Sequence, residues 1–366
     1  MNFDADRAPE NLLIRADASP EIGTGHVMRC LALAQAWQDA GGKATFLMAK
    51  STPSIHARLA AENCKVIYHS AIPGSNEDAD LTNQYASGIQ AEWLVVDGYS
   101  FGDQYQEQIR NRERKLLCID DAGKCARYAA DIVLNQNLTA SEDIYPYCWP
   151  GTRLLLGPSF CLLRREFTLW RKWQREVTPC GSNVLVTLGG STPAGAGVRV
   201  MESLSCAVVE GLNAVFVSGG SSPDAAALES CAAKFPQKIS IRQDVSNMAA
   251  LMAQADVAIS AAGSTCWELC LLGLPSILLN VADNQIPVAI ELDRWGCALY
   301  AGSGNTVSPD YLADTLENLL ASQDKRQSMA LRSRQLVDGL GAERVLSVML
   351  ELGCGSFLSA VKGARA

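Results

Sequence analysis

Residues Leu12 to Trp37 read LLIRADASPEIGTGHVMRCLALAQAW, and this stretch constrains the fold more than any other. It opens on Leu12, Leu13 and Ile14, an apolar run short enough to be a buried strand. A polar loop follows in which Gly23 and Gly25 bracket Thr24, and then comes His26. From Val27 the apolar positions Val27, Met28, Leu31, Leu33, Ala34 and Trp37 fall at helical spacing, and Gly41-Gly42 supplies the stop. The unit is strand, glycine loop, helix, with a lone histidine at or near the helix N-terminus. Free N–H groups and the positive dipole end there favour an anion over an imidazolium. A neutral histidine in a cleft can take up a proton, which suits a general base. The same unit opens many α/β proteins, and a histidine at a helix start can simply cap it, so the stretch alone leaves both readings open.

The rest of the first half repeats the rhythm. Apolar runs at Ala44–Met48, Val66–Tyr68, Trp93–Val96, Leu116–Ile119, Ile132–Leu134 and Leu154–Leu156 read as strands, with helix-like segments between most of them. Continuous apolar strands alternating with helices imply a parallel sheet covered on both faces. The alternation restarts at Val184–Thr187 and continues through Ala214–Val217, Ile239–Ile241, Val257–Ile259, Ser276–Leu279 and Ala298–Tyr300, with three helices from about Ser308 onward. With 366 residues the chain exceeds one usual domain. The expectation is an α/β protein of two facing Rossmann-like domains with parallel sheets, at 11–158 and 182–352, a linker at 159–181 and the active site in the cleft between domains. Within that linker FCLLRREFTLWRKWQREV (Phe160 to Val177) is basic, aromatic and helical in pattern, and reads as a connecting helix with a solvated basic face.

Composition excludes several partners. A net charge of −8 supplies no basic field for nucleic acid, so any phosphate ligand needs a local cradle. The polar start MNFDADRAPE has no apolar signal region, and no apolar run is as long as a membrane span. Thirteen cysteines never form CxxC, and Cys266 and Cys270, four apart, have no histidine near enough in sequence to complete a zinc pattern. Buried thiols in a reducing cytoplasm are the reading that follows, with no metal and no cofactor.

Three glycine loops in the second half follow strands directly: Gly189-Gly190-Ser191-Thr192, Gly219-Gly220 and Gly263-Ser264-Thr265. In doubly wound sheets ligands bind outside the carboxyl ends of strands, where backbone N–H groups can approach phosphate. Neither GxxxxGK[ST] nor GxGxxG is present in these loops, and Gly219-Gly220 reads as a plain tight turn. The third loop is more specific. Gly263-Ser264-Thr265 starts a helix, Glu268 lies one turn in at a spacing that suits a ribose hydroxyl pair, and the following strand leads to Val281-Ala282-Asp283-Asn284-Gln285.

The order GGS loop, AAGST..EL...G.P, then a strand ending in NQ resembles the donor half of GT-B sugar-nucleotide enzymes. Together with IRADASPEIGTGHVMRCLALA, LVVDGY and LLLGPSFCLLRREF, it resembles the UDP-2,4-diacetamido-2,4,6-trideoxy-β-L-altropyranose hydrolase family of pseudaminic acid biosynthesis. That likeness spans nearly the whole chain. It implies a metal-independent hydrolase that cleaves the anomeric C–O bond of a UDP-sugar and releases UDP with inversion. The family's GxGHxxR lands on Gly23, Gly25, His26 and Arg29, its proton acceptor on His26, and the asparagine of its NQ motif on Asn284. Where the family commonly has Asp-His-Tyr this chain has Asp97-Gly98-Tyr99, and Thr192 stands where Asp is common.

The chemistry asks for a base on one sugar face and anion stabilisation on the other, because a nucleoside diphosphate leaves readily. His26 would activate water, Gly189–Ser191 and Gly263–Thr265 would hold the diphosphate, and Asn284 with Gln285 would orient the sugar. Asp17 either touches substrate or holds the loop; Arg29 either binds substrate or pairs with a carboxylate. Tyr99 at a strand end is a rim aromatic that the resemblance places in the cleft, while His56 and His69 read as incidental. The rivals are a GT-B glycosyltransferase, a hydrolysing 2-epimerase of a UDP-amino sugar, and a non-catalytic UDP-sugar sensor.

Overall fold

A computed structural model describes residues 8–110, 114–189, 195–218, 225–233, 238–243 and 245–363. The chain forms two units, one of Met1–Ala18, His26–Arg165 and Leu340–Ala366, the other of Ser19–Gly25 and Glu166–Gly339.

In the first unit the elements run β1 (Asn11–Ala16), α1 (Gly25–Asp39), β2 (Lys43–Met48), α2 (Pro53–Ala61), β3 (Lys65–Tyr68), α3 (Asn76–Gly88), β4 (Ala91–Asp97), α4 (Asp103–Ile109), β5 (Lys115–Ile119), β6 (Ile132–Asn135) and β7 (Arg153–Leu156). They build a parallel sheet in the order β3-β2-β1-β4-β5-β6-β7. Its strands alternate sides: Leu12 and Ile14 pack under α1 with Val27, Leu31 and Trp37, while Leu13, Leu94 and Val96 pack with Phe101 and Tyr105. Burial on both faces is why these strands read as unbroken apolar runs.

A short helix α5 (Arg165–Thr168) straddles the boundary into the second unit, which continues β8 (Asn183–Thr187), α6 (Ala196–Cys206), β9 (Asn213–Ser218), α7 (Ala225–Ala232), β10 (Lys238–Gln243), α8 (Met248–Gln254), β11 (Val257–Ala261), α9 (Thr265–Leu271), β12 (Ser276–Asn280), α10 (Ile286–Arg294) and β13 (Leu299–Ser303). Its parallel sheet has the order β10-β9-β8-β11-β12-β13. Then come α11 (Pro309–Ala321), α12 (Gln323–Leu336) and α13 (Gly341–Gly363). Among the described residues no helix is long and apolar enough to cross a membrane.

Two segments depart from the sequence expectations. Phe160 to Val177 is not a connecting helix, since only Arg165–Thr168 is helical. Its arginines are anchors rather than a solvated face. Arg165 forks onto Asp39 and reaches Glu62, while Arg175 donates to the carbonyls of Ala255, Met252 and Leu272. Those carbonyls lie at the ends of α8 and α9, where backbone acceptors lack helical partners. Burial drives the Arg175 guanidinium down to about 10, with only Asp256 opposing. Such long-range donors override a local helical pattern. The second difference is α13. The expected second domain ran to residue 352, yet from Leu340 the chain lies in the first unit, and Ala342, Val345 and Met349 join the α1 core. Val345 and Met349 are fully buried there, each worth roughly 1.5–3 kcal/mol of transfer free energy.

Candidate active site

Both sheets have a topological switch point, the crevice where strand order reverses and ligands bind in doubly wound folds. In the first unit it lies between β1 and β4, and in the second between β8 and β11. Of the loops singled out in the sequence, those that begin after Ala16, Thr187 and Ala261 leave the switch-point strands β1, β8 and β11, while Gly219-Gly220 follows β9 and Asn284-Gln285 follows β12.

At the first switch point α1 delivers His26 and Arg29 from one helix face, three residues apart. β4 ends on Asp97, which is 1% exposed. The Nδ1 of His26 lies 2.7 Å from Oδ1 of Asp97, so Nδ1 carries the proton and donates. Arg29 Nη2 sits 3.2 Å from the same Nδ1, but a guanidinium only donates and the closer carboxylate decides the tautomer. The free lone pair is therefore on Nε2. Arg29 forks onto Asp97 through Nε (2.6 Å) and Nη2 (2.7 Å), and onto Asp121 through Nη1 (2.6 Å) and Nη2 (3.1 Å). Cys30 Sγ also donates to Asp97 at 3.4 Å. Tyr99, 62% exposed, sets its ring edge-on to His26 with centroids 5.0 Å apart, and its hydroxyl donates to Asp121 at 3.4 Å. Asn137 donates its amide to the same carboxylate at 3.2 Å. The turn that carries Tyr99 depends on Gly98, at φ +150°, where a Cβ would come within 3.1 Å of the Phe101 ring.

The electrostatics follow from that packing. Burial pushes the Asp97 carboxyl up, but the Arg29 charge and then His26 outweigh it, and Asp97 stays well below the usual carboxylate range. Burial likewise pushes the Asp121 carboxyl up, but the Arg29 charge more than offsets it and leaves Asp121 lowered. For Arg29 burial pulls down while Asp121 and Asp97 pull harder, and the guanidinium lies well above its ordinary value. Depressed carboxylates contribute stability that is complete above the ordinary unfolded value of about 4 and is lost as pH falls through their lowered folded values. The first unit is expected to lose stability on acidification below about pH 4, and Asp97→Asn to flatten that acid limb in urea melts followed across pH.

Asp17 takes the loop-holding option. Its Oδ1 accepts from the N–H groups of Ala49 (2.7 Å) and Lys50 (2.9 Å), and its Oδ2 pairs with buried Arg15 at 2.7 Å. Arg29 takes the carboxylate option described above. Gly25 opens α1 and is grouped with the second unit, where a Cβ on it would stand 3.4 Å from the Ser264 hydroxyl.

In the second unit Gly263 and Ser264 link β11 to α9, with Ser264 at the N-cap position, Thr265 first in the helix and Glu268 half-buried in its first turn. Asn284 and Gln285 lie in the short 3-10 turn Asp283–Gln285 beyond β12. Gln285 accepts from the Val281 N–H at 2.9 Å, and its amide nitrogen would lie 3.6 Å from a Cβ on Gly263. The AGST and NQ segments, 20 residues apart, are thus brought side by side. Gly189 follows β8 at φ +85°, while Gly190, Ser191, Thr192 and Gly219-Gly220 fall outside the described residues. Among the described residues no group of three or more His, Cys, Asp or Glu is arranged to hold a metal ion.

Asp97 and Asp121 were not among the residues expected to form the site. Both stand at the carboxyl end of an apolar strand, in LVVD and LCIDD; Asp97 also opens the Asp97-Gly98-Tyr99 turn noted above, while Asp121 had position alone.

Two Rossmann-like units with parallel sheets and these switch points define the GT-B class of fold. Acinetobacter baumannii MurG shares it, with a TM-score of 0.66 at 17% identity over 94% of this chain and 99% of that one. Residues 183–344 match the glycosyltransferase family 28 C-terminal domain. Over longer spans the chain is 28% identical to the spore coat polysaccharide biosynthesis protein SpsG of Bacillus subtilis, covering 93% of this chain and 97% of that protein. It is 25% identical to the UDP-2,4-diacetamido-2,4,6-trideoxy-β-L-altropyranose hydrolase of Campylobacter jejuni, covering 78% of this chain and 97% of the relative.

Proposed function

We propose that the protein hydrolyses a UDP-sugar, with UDP-2,4-diacetamido-2,4,6-trideoxy-β-L-altropyranose as the substrate to test first. The observation that carries the reading is the buried Asp97–His26 pair at the first switch point, which supports Nε2 as the proton acceptor. In the proposed step a water oxygen bonds to the anomeric carbon while Nε2 of His26 takes the water proton. The anomeric C–O bond breaks and its electron pair leaves on UDP. Asp97 then faces a positively charged imidazolium, so the buried carboxylate stabilises charge where it develops. The second-unit segments Gly189–Ser191 and Gly263–Thr265 would take the diphosphate, Glu268 the ribose, and Asn284 with Gln285 the sugar. Tyr99 would supply an apolar ring edge beside the base.

The match of residues 183–344 to a glycosyltransferase domain favours a second reading, transfer of the same sugar to an acceptor in place of water. Following the UDP-sugar by proton NMR with chelator present and no acceptor separates them. Hydrolysis predicts UDP and free sugar appearing together, with the anomeric configuration inverted. UDP release that requires an added acceptor selects transfer, a product altered at C2 selects epimerisation, and tight UDP binding without turnover selects the sensor.

A further inference from the structure

We infer that Arg29 is a positioning residue that sets the charge environment of the His26 ring, and is not a ligand of the diphosphate. Its guanidinium is used on both edges. Nε and Nη2 fork onto Asp97, and Nη1 and Nη2 fork onto Asp121, leaving a residue that is 6% exposed. An incoming phosphate would have to displace a charge-assisted carboxylate to gain a comparable bidentate grip.

The geometry gives the cluster a specific charge sum. The groups facing the imidazole are Asp97 from β4, Arg29 and Cys30 from α1, Tyr99 from the turn after β4, and Asp121 from the loop after β5. Two carboxylates against one guanidinium leave one negative charge unmatched beside the imidazole, which draws a proton toward the ring. Arg29 restrains this pull. Without it, two buried carboxylates would bear on the imidazole together. Without Asp121, Arg29 would spend its whole charge on Asp97 and weaken that carboxylate's hold on the ring. Asp121 therefore acts through Arg29, three residues along α1 from the group it influences.

The protein has three histidines, His26, His56 and His69, so the imidazole signals can be followed singly in an NMR pH titration, with His26→Asn assigning its own. The inference rests on the proposed base role only in its meaning for catalysis, because the titration is read without substrate or turnover. Arg29→Gln is expected to move the His26 midpoint upward, and Asp121→Asn to move it downward. Arg29→Lys, which keeps the charge but not the double fork, should return the midpoint most of the way to wild type. UDP affinity, measured by calorimetry, should change less than about threefold in all three, whereas loss of a bidentate diphosphate contact would weaken it about tenfold or more. If Arg29→Gln fails to fold, Asp121→Asn, which keeps the Arg29–Asp97 fork, carries the test. An unmoved His26 midpoint in Asp121→Asn, or a tenfold loss of UDP affinity in Arg29→Lys, overturns the inference. A protein that shows the shifts and yet never turns over a UDP-sugar overturns the proposed hydrolysis alone.

Discussion

Replacing His26 with Asn is expected to lower kcat for UDP release by about 10²–10⁴-fold while leaving UDP affinity within a few-fold of wild type. The asparagine keeps a polar group of similar reach beside Asp97 but has no lone pair able to accept a proton at neutral pH. The loss should therefore fall on the chemical step, and calorimetry with UDP should give nearly the same Kd. Single-turnover rates with the UDP-sugar are the decisive measurement. Turnover close to wild type in His26→Asn would remove the imidazole from the mechanism.

Asp97→Asn should cost nearly as much, for a different reason. The amide is the same shape, yet it lacks the charge and can present an N–H toward Nδ1, which pushes the ring proton to Nε2 and occupies the lone pair that is needed. In the serine protease triad, the best-known example of this arrangement, the same change lowers kcat about 10⁴-fold. Here a drop of about 10²–10⁴-fold in kcat with KM within a few-fold is the expected split. The buried Arg29 retains Asp121 as a partner, so circular dichroism should show a folded protein. A variant that is folded and fully active would mean that His26 needs no carboxylate behind it.

Much of the architecture was legible because it depends on local apolar runs. Each strand marked out in the sequence is present, from Leu12–Ile14 to Ala298–Tyr300, with ends shifted by up to three residues. Burial on both faces of a parallel sheet writes itself into contiguous apolar residues, and glycine loops punctuate them. The His26 loop and the AGST segment were visible for the same reason, as breaks at strand ends. What stayed hidden depends on strand order. Asp97 is 71 residues from His26, and only the adjacency of β4 to β1 brings them to 2.7 Å. Asp121 is 92 residues from Arg29 and needs β5 beside β4 as well. The helical spacing of Phe160 to Val177 misled because the partners of Arg165 and Arg175 lie elsewhere in the chain. Asp17 could not be assigned from sequence, since its acceptors are filled by N–H groups that follow β2.

The return of α13 to the first sheet bears on the order of events during synthesis. Domains usually complete themselves from the N-terminus as the ribosome releases them. Here the hydrophobic patch on the α1 side waits for Ala342, Val345 and Met349, so it stays uncovered until α13 has emerged. The second sheet, its strands and helices contiguous from β8 to α12, has every part it needs sooner. Of the two units, the one begun first is thus the one that closes last, and the newborn chain carries an open apolar face until α13 is made.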